Sequence, residues 1–408
     1  MPPPIRIAVM LRAFDEKGGI GVYTRNLIAT MLEVDDRNQY VLLYRDPSNV
    51  GTFADRPNVT ERVVRGWNKA VWDQIGVPRA AARERADVIL HPKFTVPLLT
   101  SRKSVMVLHG ADWWLPDAAH FYTRLDRLYL SIFMPLYLRR AAKVLSVSQL
   151  TTDHFYRIFD LPPGKVQTVY FGPARHFTRI EDRSALEEVR RRYDLPDRFI
   201  LTLSKAAGGE RKNIRGIFRA YERLHGTVPH ELVVVGKGCE RFRKDYAVPN
   251  EGWGRHIRFP GWIDQEDLPA VYSLSDVFLY PSNMEAFPIP ITEALATGTP
   301  IVTSRANGLE EIAGDAALLV DPNDPGEVAS AVRRVLEDAD ERRRLIDAGL
   351  ARAATFSWEK CARETRTILE SLVHRPGPSR AATAADEGTR QLMDARTSEE
   401  PSTEGGRC

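Results

Sequence analysis

Short apolar runs rich in β-branched residues recur along this chain with helical stretches between them, and this alternation limits the fold more than any other feature. The first series lies at residues 6–11, 40–44, 61–64, 88–90, 105–108 and 144–147. The second lies at 199–203, 232–235, 257–259, 277–280, 301–303 and 318–320. Strands alternating with helices build a parallel sheet covered on both faces, and two similar series imply two similar sheets. Between them, Gly172-Pro173, a charged helical run at 183–192 and Pro196 read as a linker. Helices are expected at 325–336, 341–352 and 357–372. Beyond His374 the chain is small and polar, with few large apolar anchors, and is expected to be a disordered tail.

The whole-chain numbers exclude several classes. A length of 408 residues suits two domains, and 43% hydrophobic with 27% charged residues is ordinary globular composition. A net charge of +3 implies no nucleic-acid partner. Cys239, Cys361 and Cys408 are odd in number and far apart, which favours a reducing compartment over a disulfide framework. No run approaches the roughly 18 apolar residues of a membrane span, and Met1-Pro-Pro-Pro does not look like a signal peptide. A cytoplasmic protein is expected, with peripheral contact at the inner face of a membrane as a second expectation. The segment 132–138, flanked by Arg124, Arg127, Arg139 and Arg140, is the place for that contact; its near-continuous apolar residues favour burial instead.

In parallel sheets ligands collect at the carboxyl ends of strands, and the notable polar residues here follow strands. Glu285 and Glu293 lie either side of a turn that opens a helix after the run at 277–280. A helix start offers free N–H groups and a positive dipole end, which suit phosphate oxygens, while the carboxylates suit sugar and ribose hydroxyls. Both glutamates could instead be solvated helix-face charges. Arg211-Lys212-Asn213 opens the first helix of the second half; two cations there oppose the dipole, and an anion such as a diphosphate would resolve the conflict. Gly18, Gly19 and Gly21 allow close backbone approach, or make a purely structural turn. His109 ends a strand, where a neutral imidazole can bond a sugar hydroxyl or carry a proton. Asp338-Ala339-Asp340 has no strand before it and reads as a helix end rather than a metal site, and no metal is expected.

The block from Pro281-Ser282-Asn283-Met284 through Glu285-Ala286-Phe287-Pro288-Ile289-Pro290-Ile291-Thr292-Glu293 to Gly298-Thr299-Pro300-Ile301-Val302 resembles the nucleotide-sugar site of retaining glycosyltransferases of the GT-B fold, family 4 in particular. The resemblance spans about residues 5 to 372 and is strongest from Phe199 to Val320. It implies two Rossmann-like domains facing each other across a cleft: an acceptor-side domain at 1–172, a linker at 173–198, a donor-side domain at 199–356, a helix at 357–374 that packs back on the first domain, and the tail at 375–408. It further implies a hexosyltransferase that needs no metal or other cofactor. Glu285, Arg211, Lys212 and His109 would be catalytic, and Gly19, Lys205, Trp262, Ile263, Phe287, Ile289 and Glu293 would bind donor. Trp262-Ile263 occupies the place where the family's backbone meets the base, although Trp262 could equally pack in the core. The family's Gly-Arg is Ser204-Lys205 here, its His-Asp is His109-Gly110-Ala111-Asp112, and Ala286 and Pro288 stand where it often has Gly; Phe287 and Ile289 are then the nearby backbone donors.

The start Gly18-Gly19-Ile20-Gly21-Val22-Tyr23 resembles bacterial cell-surface polysaccharide mannosyl- and glucosyltransferases, implying GDP-mannose or UDP-glucose as donor and a glycan or lipid-linked glycan as acceptor. The alternatives are a sugar-nucleotide epimerase on the same fold and a catalytically degenerate subunit that only binds.

Overall fold

A computed structural model describes residues 3–115 and 123–374. The expected tail at 375–408, with Cys408, lies outside the described residues. Two parallel sheets form the centre of the molecule. The first comprises β1 (Arg6–Met10), β2 (Gln39–Tyr44), β3 (Val59–Val63), β4 (Val88–His91), β5 (Lys103–Leu108), β6 (Lys143–Ser146) and β7 (Val166–Thr168). The second comprises β8 (Phe199–Leu203), β9 (Glu231–Val235), β10 (Ile257–Gly261), β11 (Val277–Tyr280), β12 (Ile301–Ser304) and β13 (Ala317–Val320).

The strand orders are β3-β2-β1-β4-β5-β6-β7 and β10-β9-β8-β11-β12-β13. Both reverse direction beside their first strand, so each sheet has a switch point: β1/β4 in one, β8/β11 in the other. Crevices at the carboxyl ends of such pairs are where doubly wound sheets bind ligands. The central strands are buried on both faces, which is why they read as unbroken apolar runs. β7 has no such signature. It is three residues long, Val-Gln-Thr, at the sheet edge, with only Val166 buried.

The helix Arg183–Arg192 packs on Leu268–Leu274 of the second half, and its end is tied there by Arg192 and Tyr193, both bonded to Asp267. The helix Trp358–Val373 lies against Gly19–Val34 of the first half. Apolar positions on its inner face (Trp358, Cys361, Ala362, Thr365, Ile368 and Leu369) are buried, and Ser357 caps its start by accepting from the Lys360 N–H. Asp338 likewise caps the helix Ala339–Ala353, accepting from the N–H groups of Asp340 and Glu341, so the Asp-Ala-Asp triplet is a helix start.

The expectation of burial for 132–138 holds for one face only. Within the helix Arg124–Arg140, Met134, Tyr137 and Leu138 are buried, but Ile132 and Leu136 are 53% and 45% exposed. A nearly continuous apolar run on a helix covers more than one face, and this helix has a neighbour on one side only. Among the described residues no helix is long and apolar enough to cross a membrane.

Candidate active site

The loops after β8, β9, β10 and β11 are linked into one shelf by main-chain bonds. Gly236 N–H donates to Gly261 O, Ala206 N–H to Lys237 O and Asn283 N–H to Arg211 O, at 2.8, 3.1 and 2.9 Å. On this shelf, at the β8/β11 switch point, the structure brings Arg211, Lys212 and Glu285 together. One carboxylate oxygen of Glu285 accepts from Lys212 Nζ, from Ser282 Oγ at 3.2 Å and from Tyr280 Oη at 3.3 Å. The other accepts from Arg211 at 3.2 Å. The helix beyond the two cations starts at Ile214, with Asn213 as its cap in the left-handed region and its side chain accepting from the Gly216 N–H. The sequence suggested an external anion between the cations. In the structure Glu285 is itself that anion.

Burial sets the electrostatics. It would raise the Glu285 pKa, but Lys212 and Arg211 outweigh it, and the carboxyl titrates below its ordinary range. Burial pulls Lys212 below its usual range, against the pull of Glu285; Arg211 and Lys205 push the same way as burial. The Glu285 and Lys212 side chains are 8% and 16% exposed, whereas Arg211 is 36% exposed.

Glu293 behaves differently. It lies inside the helix Ile289–Ala296, is 7% exposed, and accepts from Tyr272 Oη at 3.0 Å. With no cation beside it, burial raises its pKa to about 7, the Tyr272 bond opposing. Neither glutamate is a solvated helix-face charge. Tyr280 lies between them and feels both carboxylates.

From the facing domain, the loop after β5 approaches the Glu285 loop: a Cβ on Gly110 would lie 3.2 Å from the Ala286 methyl. His109 donates from Nε2 to the Pro92 carbonyl at 2.9 Å, and Tyr23 packs edge-on against its ring at 4.8 Å. Burial lowers its pKa to about 4, the Pro92 bond and Lys93 entering after it, so the ring is neutral near pH 7 with Nδ1 left as acceptor. A small cavity of about 10 Å³ between these loops is bordered by Gly110, Asp112, His154, Glu285 and Asn307.

The other expected residues scatter around this centre. Lys205 is exposed at the end of β8. Trp262 follows β10 and is 57% exposed, so it is no core residue, whereas Ile263 is buried. Gly19 is exposed at the first position of the helix Gly19–Val34 with open space around it. Ile289 begins its helix half-buried. Phe287 turns away from the shelf and stacks on Phe171, centroids 3.9 Å apart, and Phe171 stacks on Trp358 at 4.7 Å.

Several contributors were missed in the sequence. Tyr280 and Tyr272 supply hydroxyls but read as strand and helix residues, whereas Ser282 stood in the polar stretch after β11. Gly308 is needed for close approach, because a Cβ there would lie 2.4 Å from Ala286 O, and its N–H bonds Glu285 O at 2.9 Å. Its only signal was an Asn-Gly pair after a strand. Glu311 reaches across the domains, accepting from the N–H groups of Gln149 and Leu150 at 2.6 and 2.8 Å and from Tyr170 Oη at 2.8 Å. Among the described residues no group of three or more His, Cys, Asp or Glu comes together to hold a metal ion.

Comparison with known proteins agrees with this architecture. Residues 17–172 match the family described as Glycosyltransferase Family 4, and residues 186–352 match Glycosyl transferases group 1. The chain is 29% identical over 303 residues to O-antigen chain mannosyltransferase B of Escherichia coli, covering 72% of this chain and 76% of that one. It is 28% identical over 270 residues to the serotype-specific mannosyltransferase WbdA of Escherichia coli, covering 63% of this chain but 32% of that longer protein. The fold is similar to that of Anabaena Alr3699/HepE, whose crystal structure is in complex with UDP-glucose, with a TM-score of 0.70 at 18% identity over 90% of this chain and 100% of that one. With both domains matched and the two-sheet fold in place, the chain belongs to the group 1 and family 4 glycosyltransferases of the GT-B fold and is a transferase of glycosyl groups.

Proposed function

We propose that this enzyme transfers a hexosyl residue, mannose in preference to glucose, from a nucleotide diphosphate sugar to a glycan hydroxyl, with retention of configuration and without a metal. The observation that carries the reading is the Arg211/Lys212/Glu285 cluster at the β8/β11 switch point, where two cations, one of them 36% exposed, meet a buried carboxylate. The diphosphate would take the two cations together with the start of the helix Ile289–Ala296, the N–H groups of Phe287 and Ile289 being the nearby donors. Glu285, released from part of its ion pairing, would grip the sugar hydroxyls. Glu293, close to half-protonated at neutral pH, would bond the ribose. Lys205 would add positive charge, and Trp262 with Ile263 would meet the base. Gly19 and neutral His109 would face the reacting sugar from the other domain, His109 accepting a hydroxyl proton bond at Nδ1.

Among the described residues no side chain beside the cluster presents itself as a covalent nucleophile, which supports front-face displacement. The bond from C1 to the phosphate oxygen breaks, and the acceptor oxygen bonds C1 on the same face. The hydroxyl proton passes to the departing phosphate, whose charge Arg211 and Lys212 hold. The mannosyl preference and the polysaccharide role rest on the names of the Escherichia coli relatives, and the nucleotide-sugar donor is supported by the UDP-glucose complex of the structural neighbour. Incubating the protein with GDP-mannose and UDP-glucose, with and without polysaccharide oligomers, and reading product anomers by NMR tests this. An α-linked product from GDP-mannose is expected; an inverted anomer or no turnover of either donor contradicts it.

A further inference from the structure

The helix Asn307–Ala313 is bonded to both halves of the molecule. Its start belongs to the Glu285 loop: the Gly308 N–H donates to Glu285 O at 2.9 Å, and Asn307 Nδ2 donates to Asn283 O at 3.0 Å. A Cβ on Gly308 would lie 2.4 Å from Ala286 O and 2.8 Å from Glu285 O, so loop and helix start are in backbone contact. Its far end is fixed in the second half by Arg352, which donates from Nη2 to Glu311 O at 2.6 Å and from Nε to Ile312 O at 3.1 Å. The helix and the Glu285 loop therefore move as one piece.

The Glu311 side chain bonds the other half instead. Its carboxylate accepts from the Gln149 and Leu150 N–H groups at 2.6 and 2.8 Å and from Tyr170 Oη at 2.8 Å. Those two N–H groups are the first of the helix Gln149–Ile158, and Ser148 takes the third by accepting from the Thr151 N–H. N–H groups at a helix start have no partner in their own helix and carry the positive end of its dipole, so a carboxylate suits them better than a neutral side chain. Tyr170 remains a donor, because burial and then Glu311 raise its pKa above the ordinary tyrosine value. Gly308 and Glu311 are about one turn apart on the same helix, which ties the position of the Glu285 loop to the seating of the first domain.

We infer that Glu311 is a positioning residue for the transfer: its carboxylate latches the start of the helix Gln149–Ile158 and so holds His109 and Gly110 of the first domain against the Glu285 loop. It sets the separation of the domains and does so through the helix Asn307–Ala313. Opening the cleft pulls the carboxylate out of the helix start, and closing restores three hydrogen bonds at once. The kinetic consequence rests on the reaction proposed above; the effect on domain separation does not.

Small-angle scattering of the full chain, without donor and with saturating GDP-mannose or UDP-glucose, tests it together with initial rates for three variants. Glu311→Gln keeps the shape and removes the charge. Gln149→Pro removes one N–H that Glu311 accepts from, and Gln149→Ala removes the same side chain but keeps that N–H. Proline fits there, because Gln149 is the first residue of its helix and Ser148 before it is extended, with φ −151° and ψ 157°. Glu311→Gln and Gln149→Pro should have a larger radius of gyration than the wild type in at least one condition, and kcat/KM for transfer lower on the order of tenfold, the worth of a hydrogen bond to a charged group. Gln149→Ala should match the wild type. A merely structural role would lower the thermal midpoint and leave the radius of the folded protein alone. Radii of Glu311→Gln equal to wild type in both conditions, or Gln149→Ala opening the protein as far as Gln149→Pro, would overturn the inference. A chain that transfers neither sugar would contradict the proposed reaction, and the donor-free radii would still decide the latch.

Discussion

Glu285 is a buried carboxylate whose donors are all protein groups, and its environment dictates what its neighbours can be. Removing one partner of a buried ion pair leaves an uncompensated charge at a cost of about 3 to 5 kcal/mol, more than most exposed pairs contribute. Lys212→Ala should therefore lower both stability and transfer, although Arg211 keeps part of the compensation. The isosteric pair Lys212→Met with Glu285→Gln should keep most of the fold and still lose about 2 to 4 kcal/mol of transition-state stabilisation, roughly thirtyfold to nine-hundredfold in turnover. Denaturant unfolding and initial rates, measured on the same preparations, check both; near-wild-type turnover of the double variant would remove Lys212 and Glu285 from the chemistry.

Glu293 gives a separate prediction at the same scale. Its pKa rises on folding, from the ordinary 4.5 to about 7, so the folded state binds the proton more tightly than the unfolded chain. The resulting stability is fully present below about 4.5 and is lost as pH climbs through about 7, roughly 3 kcal/mol in all. Glu293→Gln, which stays neutral, should flatten this part of the profile and be the more stable protein at pH 8. Melting curves from pH 5 to pH 8 that fall equally for both proteins would contradict that assignment.

At the scale of elements, strand positions were legible because central strands of a doubly wound sheet are buried on both faces and show as apolar runs. β7 was not, since an edge strand with one buried residue carries no pattern. The carboxylates and cations were legible because polar residues after a buried strand stand out. Their hydroxyl partners were not, because Tyr280 and Tyr272 are aromatic core residues by composition, and only the fold points their oxygens at Glu285 and Glu293. Glu311 was invisible for a similar reason: it looks like a surface helix residue until the helix Asn307–Ala313 and the start of the helix Gln149–Ile158 are brought together. Trp358–Val373 makes its own prediction. Its buried face covers Gly19–Val34, and Trp358 and Phe287 both stack on Phe171, so this helix supports the Glu285–Phe287 loop through aromatic rings. A chain ending before Ser357 should melt many degrees lower or fail to fold, whereas one ending after His374 should melt as the full chain does. Equal melting of all three would show that the helix adds little.

Across the whole molecule, the domains are already in contact at Gly110 and Ala286, at Phe171 and Phe287, and through Glu311. The small cavity of about 10 Å³ beside Glu285 leads us to expect that the cleft opens to admit a sugar. Such opening rotates two packed bodies about the segment near Gly172-Pro173 and needs few contacts to break, as is usual for domain interfaces within one chain. Small-angle scattering should show the free protein larger on average than this closed arrangement, with the radius of gyration falling at saturating nucleotide sugar. An unchanged radius would mean that the donor enters without domain motion.

We propose that protein cations, and not a metal, hold the donor diphosphate at the β8/β11 switch point. Calorimetric titration of GDP-mannose, and of UDP-glucose in parallel, into the full-length protein in excess EDTA tests it most directly. The expected result is binding of at least one donor in chelator, weakened on the order of a hundredfold when Arg211→Ala and Lys212→Met are combined. Binding of both donors that appears only with added magnesium or manganese, or that is unaffected by the two substitutions, would contradict it.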